Sequence, residues 1–275
     1  MRTTPTTNPA KYLGGAILAI AVFAVLYIFF VRTVHGQTVD QLAYDGADFG
    51  RRSVTPITRG VLDALPAASL VIGLALTLIV GLVRRNGKTL IVAMGVAVAA
   101  IATTQLLKYG ALSRPDLGVD GYAGNSFPSG HTTVAAASTL AIFLVASPRT
   151  RTMVGLLGTA FAVVAGVSTL ADGWHRPSDV IAGLLVVAFW GCVGGAVLAL
   201  GRSRGASPRP PEASWQWWLA IPFVVVSAIA FVITYLHASG DASGALIAYV
   251  GGVTSIVASG FVIALTAARL FARLP

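Results

Sequence analysis

The chain has 275 residues, of which 56% are hydrophobic and only 11% are charged, and its formal net charge is +9. About 25% of the residues of an ordinary soluble domain are charged, so the composition excludes that class. The apolar residues form long runs, which is typical of membrane-spanning helices. Most Lys and Arg residues stand at the ends of these runs, which indicates membrane topology and argues against a nucleic-acid partner. Cys192 is the only cysteine, so an intramolecular disulfide is excluded.

The apolar runs predict an all-α fold, a polytopic membrane helix bundle. Eight spans are expected, at residues 12–31, 61–83, 89–107, 129–146, 152–171, 178–200, 217–236 and 245–270. We expect the first span to be a retained helix and not a cleaved signal peptide. The predicted domains are a six-span core (1–200), a cytoplasmic linker (201–216) that begins with a stretch rich in Arg, Ser and Pro, and a C-terminal tail of two spans (217–275).

Basic residues concentrate in alternate loops. The termini and loops on one side hold Arg2, Lys11, Arg84, Arg85, Lys88, Arg149, Arg151, Arg202, Arg204, Arg209, Arg269 and Arg273. The positive-inside rule makes this side cytoplasmic, with both termini inside, in a multi-pass protein of the cell membrane. The first loop on the opposite side carries Arg51, Arg52 and Arg59, which reduces the contrast, whereas the loop 237–241 carries neither Lys nor Arg.

Three short polar clusters lie at the ends of predicted spans, all on the extracytoplasmic side. They run from Lys108 to Pro115, from Pro128 to His131, and from His175 to Asp179. Ionisable groups near a membrane are costly unless they serve a function. We therefore interpret the clusters as parts of one site. It offers cations, backbone amides and two imidazoles, which are the groups that attack on a phosphate ester needs.

The second cluster has the pattern of an anion site at a helix N-terminus. Pro128 suits the first turn of a helix, and Ser129, Gly130 and His131 would then present backbone amides to an anion. Gly130 allows an oxyanion to approach the backbone closely. A plain helix start after a loop has the same Pro-Ser-Gly pattern, and the adjoining His131 favours the anion site.

His175 and Asp179 in the third cluster are four residues apart and share one face of a helix. The carboxylate can hold the imidazole in one tautomer and stabilise its charge; a helix-start His with a capping Asp is the structural alternative. Arg114 offers a planar fork for phosphate oxygens and Lys108 a point charge, with snorkelling to the interface as their alternative. His131, His175 and Asp179 would suit a metal by ligand type, but without a spacing distinctive of a metal site.

In this order, the three clusters resemble the type 2 phosphatidic acid phosphatase family, which also includes soluble vanadium-dependent haloperoxidases. The family pattern is Lys, six residues and Arg-Pro; then Pro-Ser-Gly-His; then Ser-Arg, five residues, His, three residues and Asp. The resemblance covers the six-span core and is clearest from Lys108 to Asp179. It implies an integral membrane lipid-phosphate phosphatase that acts on a phosphorylated or pyrophosphorylated lipid, polyprenyl or glycerolipid, at the extracytoplasmic face.

The resemblance also implies a role for each site residue. His175 would be the nucleophile that forms a phosphohistidine intermediate, Asp179 would orient it, and His131 would be the general acid. The phosphoryl oxygens would be held by Lys108, Arg114, Ser129, Gly130 and Ser168. The scheme needs no metal and no other cofactor, because fixed positive charge takes their place. The partners are then the lipid phosphate and the bilayer, and the sequence carries no signal for an oligomeric state.

Two positions depart from the family pattern. Five residues, not six, separate Lys108 from Arg114, and Thr169 follows Ser168 where the family has Arg. One residue on a helix is a rotation of roughly 100°, and the missing Arg removes a bidentate phosphate contact. Arg176 is the candidate to replace it. The departures leave open altered substrate preference, weaker catalysis, or a lipid-phosphate binding or transport protein without turnover.

Overall fold

A computed structural model describes residues 9–121, 124–200, 214–237 and 242–272. Within these ranges all regular structure is helical, which confirms the predicted all-α class. The nine α-helices of the described residues are α1 (Ala10–Leu26), α2 (Val34–Asp45), α3 (Asp48–Val83), α4 (Gly87–Leu106), α5 (Gly130–Val145), α6 (Arg151–Ala171), α7 (Pro177–Leu200), α8 (Ile221–Leu236) and α9 (Ala242–Phe271). Turns of π-helix, Tyr27–Val31 and Leu107–Ala111, extend α1 and α4, and a 3₁₀ segment, Ser214–Leu219, precedes α8.

The protein is a multi-pass membrane helix bundle. Among the described residues, six helical segments are long and apolar enough to cross a bilayer: Ala10–Val31, Gly87–Ala111, Arg151–Ala171, Pro177–Leu200, Gln216–Leu236 and Gly244–Phe271. The other two predicted spans coincide with apolar helices that are shorter, Ala67–Val83 and Gly130–Val145. Each of the eight predicted spans therefore falls on a helix, and Ala67–Val83 is the C-terminal part of the 36-residue α3.

The segment between the first two spans, which the sequence analysis treated only as a loop, is helical. It forms α2 and the beginning of α3. Thr33 is the N-cap of α2, and its hydroxyl accepts a hydrogen bond from the Gly36 amide at 3.1 Å. With 12 residues, α2 is about 18 Å long, too short to span a bilayer.

Small residues let the helices around the site approach one another closely. A Cβ on Gly183 of α7 would lie 2.9 Å from the Ser129 carbonyl oxygen at the start of α5. A Cβ on Gly166 of α6 would lie 2.5 Å from Val180 of α7. Such contacts are typical of helix packing in membranes. Lipid provides no hydrophobic driving force between helices, so they associate through close van der Waals packing, which small residues allow. They bring the N-terminal ends of α5 and α7 together.

The last helix, α9, packs against the earlier part of the chain. Ile256 of α9 is fully buried in one cluster with Val163, Leu170 and Val180 of α6 and α7. The Leu270 carbonyl accepts hydrogen bonds from the Lys11 and Tyr12 side chains of α1, at 2.8 and 3.0 Å. The division into a core (1–200), a linker (201–216) and a two-span tail (217–275) stays a prediction, and linker residues 201–213 lie outside the described residues.

Several basic side chains at the end of the bundle opposite α2 cap helix C-termini. The Arg84 guanidinium donates to the carbonyls of Val145 and Ala146 at the end of α5, both at 2.8 Å. Arg151, which is buried, donates to Ala146 at 3.0 Å and to Phe271 at 3.2 Å. Cations are favourable where a helix leaves its last carbonyls unpaired. These arginines thus have a structural role besides any role in topology.

Candidate active site

The three polar clusters meet at one end of the bundle, where α4 ends and α5 and α7 begin. The Ser129 amide donates to the Asp179 carbonyl at 2.8 Å, which joins the start of α5 to the first turn of α7. The Arg114 guanidinium lies 3.5 Å from the Asp179 carboxylate. Residues from all three clusters are therefore in one small region, at the level where these helices end or begin.

His175 and Asp179 form a buried pair at its centre. The His175 Nδ1 atom lies 3.4 Å from Asp179 Oδ2, and the Asp179 side chain is completely buried. The same oxygen accepts a hydrogen bond from the Ser126 hydroxyl at 2.6 Å and from the Arg176 amide at 3.0 Å. Asp179 thus caps the first turn of α7 and also contacts the imidazole. This geometry is compatible with both interpretations of Asp179: a carboxylate that orients the His175 imidazole, and a capping Asp at the start of α7.

Arg114 lies between two buried carboxylates. Its Nη2 atom is 3.4 Å from Asp40 Oδ2 and 3.5 Å from Asp179 Oδ1, and Arg114 is only 4% exposed. Asp40 belongs to α2 and also accepts hydrogen bonds from the amide and hydroxyl of Ser178, at 3.1 and 2.6 Å. Burial raises the pKa of Asp40 because desolvation penalises the charged carboxylate, and the nearby Arg114 acts in the opposite direction.

The start of α5 is a capped helix N-terminus, which is compatible with both the predicted anion site and a plain helix start. Ser129 is the N-cap, and its hydroxyl accepts hydrogen bonds from the Thr132 amide at 3.3 Å and the Thr132 hydroxyl at 3.0 Å. Gly130 and His131 occupy the first turn, where no carbonyl of the helix can accept from their amides. The half-buried His131 ring lies near Trp174 and His175, with centroid distances of 5.1 and 6.0 Å. Both imidazoles thus border the same space.

Lys108 lies at the edge of this region. It is half-buried in the π-helical turn that ends α4, and its ammonium lies 5.6 Å from the centroid of the Tyr109 ring. Its carbonyl accepts a hydrogen bond from the Asn125 amide at 2.9 Å. Gln105, one turn earlier, lies 3.6 Å from the position of a Cβ on Gly130. Among the described residues, no hydrogen bond or ion pair joins the Lys108 side chain to the other predicted site residues.

Ser168 and Thr169 lie in the last turn of α6. Ser168 is half-buried, and its carbonyl accepts a hydrogen bond from the Asp172 amide at 2.9 Å. Thr169 is fully buried, and its hydroxyl donates to the Gly166 carbonyl at 2.7 Å. The Thr169 carbonyl accepts from the amides of Trp174 and His175, at 2.8 and 3.2 Å. Thr169 therefore holds the segment that carries His175 through its backbone.

Arg176 is directed toward α2. Its guanidinium donates to the Gln41 side chain at 2.9 Å, to the Ser126 hydroxyl at 3.3 Å and to the Gly121 carbonyl at 3.4 Å. It also lies over the Tyr44 ring, 5.4 Å from its centroid. Each guanidinium nitrogen thus has a partner within the protein, so Arg176 could take the place of the family Arg only by giving up some of these contacts. The role of Arg176 in place of the family Arg stays a prediction.

Asp40, Gln41 and Ser126 are among the side chains that contact the clusters and were missed in the sequence. Asp40 and Gln41 lie in a segment that was expected to be a loop, and both are buried. Ser126 stands two residues before Pro128, close enough to the second cluster to have been suspected. Asp40 and Gln41 had no comparable signal, because their partners lie 74 to 138 residues further along the chain.

Within the described residues, no group of three or more His, Cys, Asp and Glu side chains has the geometry of a metal site. His131, His175 and Asp179, the metal set conceivable from ligand types, are thus not arranged as such a group. The His175 nitrogen nearest to a carboxylate is already engaged with Asp179.

The fold and the site define a multi-pass membrane helix bundle with a buried His–Asp pair, a second imidazole and the capped N-terminus of α5 in one region. Residues 88–200 match the PAP2 superfamily, and this segment is a PAP2 (phosphatidic acid phosphatase type 2) domain, which confirms the resemblance. The matched segment contains all three clusters, whereas α2, α8 and α9 lie outside it. The family implies a phosphatase. No curated protein and no solved structure matches the chain.

Proposed function

We propose that this chain is a lipid-phosphate phosphatase that works through a phosphohistidine on His175. The main support is the buried contact between His175 Nδ1 and Asp179 Oδ2 at 3.4 Å, beside Arg114 and the first turn of α5. The contact leaves Nε2 as the ring nitrogen that can attack. A carboxylate on Nδ1 keeps the proton there and stabilises the imidazolium that forms.

In the proposed reaction, His175 Nε2 forms a bond to phosphorus while the bond from phosphorus to the lipid oxygen breaks. His131 donates a proton to the leaving oxygen. Water then attacks the phosphohistidine, His131 takes its proton back, and inorganic phosphate leaves with His175 restored. The amides of Gly130 and His131, together with Lys108, Arg114, Ser129 and Ser168, hold the phosphoryl oxygens. Fixed donors of this kind stabilise the charge that develops in the transition state.

The substrate that this geometry favours is a phosphorylated or pyrophosphorylated lipid, polyprenyl or glycerolipid. The site lies where α4, α5, α6 and α7 end or begin, and the ends of membrane-spanning helices are expected at the depth of lipid head groups. Such a position suits a phosphate whose apolar chain stays in the bilayer. We assign the site to the extracytoplasmic face of the cell membrane, because the opposite end carries most of the basic loop residues.

Phosphate release from a panel of lipid phosphates and diphosphates by purified protein, with EDTA present, tests the proposal. The chain offers a matched set of histidine variants. His175→Ala is expected to abolish turnover and labelled phosphoenzyme, whereas His237→Ala, at an exposed position after α8, is expected to keep both. A near wild-type rate for His175→Ala would overturn the assignment. Activity that is lost in EDTA and restored by Mg²⁺ or Zn²⁺ would show a metal-dependent reaction.

A lipid-phosphate binding or transport protein without turnover is the second candidate. Thr169 supports it, because its buried hydroxyl is bound to Gly166 and offers no cation to a phosphate. In that case vanadate would stabilise the wild-type protein against heat while no lipid phosphate in the panel released phosphate. Gain of turnover in Thr169→Arg would then show that the missing cation is the cause.

A further inference from the structure

One face of α2 is both buried and polar, which is unusual for a helix outside the hydrophobic core. Gln37, Asp40, Gln41 and Tyr44 recur at spacings of three, one and three residues, so they share a face. The Gln37 amide donates to the carbonyls of Val31 and Pro115, at 2.8 and 2.9 Å. Asp40 contacts Arg114 and Ser178, Gln41 contacts Arg176, and the Tyr44 hydroxyl donates to the Gly173 carbonyl.

This face holds both buried arginines of the predicted phosphate site. Arg114 is bound by the Asp40 carboxylate, and Arg176 is bound by the Gln41 carbonyl oxygen and lies over the Tyr44 ring. A guanidinium that is fixed in this way loses less freedom when a phosphate arrives. The face thus determines where two cations stand relative to His175.

Asp40 also supplies a second cap at the start of α7, besides the one that Asp179 gives to the Arg176 amide. Pro177 is the first residue of α7, so Arg176 holds the N-cap position, and its side chain cannot accept a hydrogen bond. The Asp40 carboxylate accepts from the Ser178 amide instead, at 3.1 Å, and from the Ser178 hydroxyl at 2.6 Å. A carboxylate at this end of a helix also interacts favourably with the helix dipole. Ser178 immediately precedes Asp179, so the cap acts on the turn that carries the dyad.

The burial of Asp40 also indicates that its contacts with Arg114 and the first turn of α7 are important. It is 2% exposed, and a buried carboxylate is costly unless it is paired and hydrogen-bonded. Its two oxygens together receive the Ser178 amide, the Ser178 hydroxyl and the Arg114 guanidinium. Water cannot offset the cost of burying this carboxylate, because the side chain has almost no exposed surface. The contacts to Arg114 and Ser178 offset that cost instead.

We propose that Asp40 is a positioning residue for the reaction at His175, and that α2, although outside the segment that matches the family, is part of the site. Asp40 fixes the Arg114 guanidinium and the first turn of α7, and through that turn it fixes Asp179 against His175. The catalytic part of this inference rests on the proposed phosphatase function. The structural part does not.

Asp40→Asn tests the inference, because it keeps the size of the side chain and removes its charge. Asp48→Asn, at an exposed position at the start of α3, is the matched control. We expect kcat of folded Asp40→Asn to fall about 10²-fold, the effect of a small misplacement of catalytic groups, and Asp48→Asn to be unchanged. The double variant Asp40→Asn/Arg114→Lys should lose less than the product of the two single losses, because both changes disturb the same guanidinium while only Asp40→Asn also disturbs the cap on α7. A kcat within twofold of wild type, or losses that multiply in the double variant, would overturn the proposal.

A second measurement separates this inference from the proposed function. Hydrogen exchange of the backbone amides at 176–180, followed by mass spectrometry, reports the cap on α7 and needs no substrate. Exchange there should be faster in Asp40→Asn than in wild type and Asp48→Asn. Unchanged exchange would contradict the positioning role even if the enzyme is active. Faster exchange in a protein that hydrolyses no lipid phosphate would keep the cap and reject the phosphatase.

Discussion

Asp179→Asn distinguishes a catalytic carboxylate from a capping one. The substitution keeps the size of the side chain and can keep the cap, because an amide oxygen can still accept from the Arg176 amide, which now donates to Asp179 Oδ2 at 3.0 Å. The same oxygen receives the Ser126 hydroxyl at 2.6 Å and lies 3.4 Å from His175 Nδ1. The other oxygen faces Arg114 at 3.5 Å. An Asn side chain therefore has two orientations, and each has a cost.

If the amide oxygen stays with these donors, the amide nitrogen faces the Arg114 guanidinium, and two donors oppose each other. If the amide is flipped, its nitrogen faces His175 Nδ1, which must then accept. The proton of the imidazole moves to Nε2, and the nucleophilic nitrogen is blocked. Hydrogen bonds to a charged group contribute about 1.5–3 kcal/mol and neutral ones about 0.5–1.5. Three weakened contacts thus destabilise the fold by about 3 kcal/mol, while a wrong tautomer lowers kcat by about 10⁴-fold.

We therefore expect Asp179→Asn to lose about 10³–10⁴-fold in kcat with little change in KM. The assay is the initial rate of phosphate release in detergent, with the melting temperature measured on the same preparation so that unfolded protein is not counted as inactive enzyme. Asp116→Asn, an exposed acid in the loop before α5 whose carboxylate accepts from the Gly118 amide at 2.9 Å, is the control. A loss below tenfold in folded Asp179→Asn would mean that Asp179 only caps α7.

The remaining predictions concern the second imidazole, the cation at the edge of the site and the topology. His131→Ala should lower the rate on lipid phosphates by about 10²–10⁴-fold, and much less on an aryl phosphate, whose leaving group needs no proton; equal losses on both would argue against a general acid. Lys108→Ala should raise KM and the Ki of vanadate more than it lowers the melting temperature, and unchanged constants would exclude contact with phosphate. In a Cys192→Ser background, cysteine at Asp120 should react with an impermeant thiol reagent in intact cells and cysteine at Arg204 should not; the reverse labelling would invert the topology.

The bundle was largely predictable because its signal is local. A run of apolar residues identifies a helix wherever it stands, so every predicted span coincides with a helix. Alternation of the spans then places the ends of α4 and α6 and the starts of α5 and α7 at one face, and the contacts between Arg114, Asp179 and Ser129 are found there. A four-residue spacing likewise sufficed to pair His175 with Asp179.

α2 was missed because its signal is not local. A surface helix is usually recognised by an apolar stripe, but the buried face of α2 is polar, with Gln37, Asp40 and Gln41 inside. Many of the partners that compensate this burial lie far along the chain: Arg114 and Ser178 for Asp40, Arg176 for Gln41, and the Pro115 carbonyl for Gln37. The direction of Arg176 was unpredictable for the same reason, since its partner Gln41 is 135 residues away. A sequence pattern shows which residues are near in the chain, whereas these side chains are arranged by partners from another helix.

The contacts of the cations also indicate how a phosphate would be attracted to this site. Arg114 faces two carboxylates, and Arg176 has protein partners at each guanidinium nitrogen. The carboxylates balance the charge of Arg114 inside the protein, so Arg114 serves orientation more than attraction, whereas the hydrogen-bond partners of Arg176 are neutral groups that leave its charge in place. Among the described residues, no carboxylate pairs with Lys108, whose ammonium lies 5.6 Å from the centroid of the Tyr109 ring. The attraction therefore depends on Lys108, on Arg176 and on the positive ends of the α5 and α7 dipoles. Because no carboxylate of the described residues pairs with the Lys108 ammonium, its loss should affect binding more than folding.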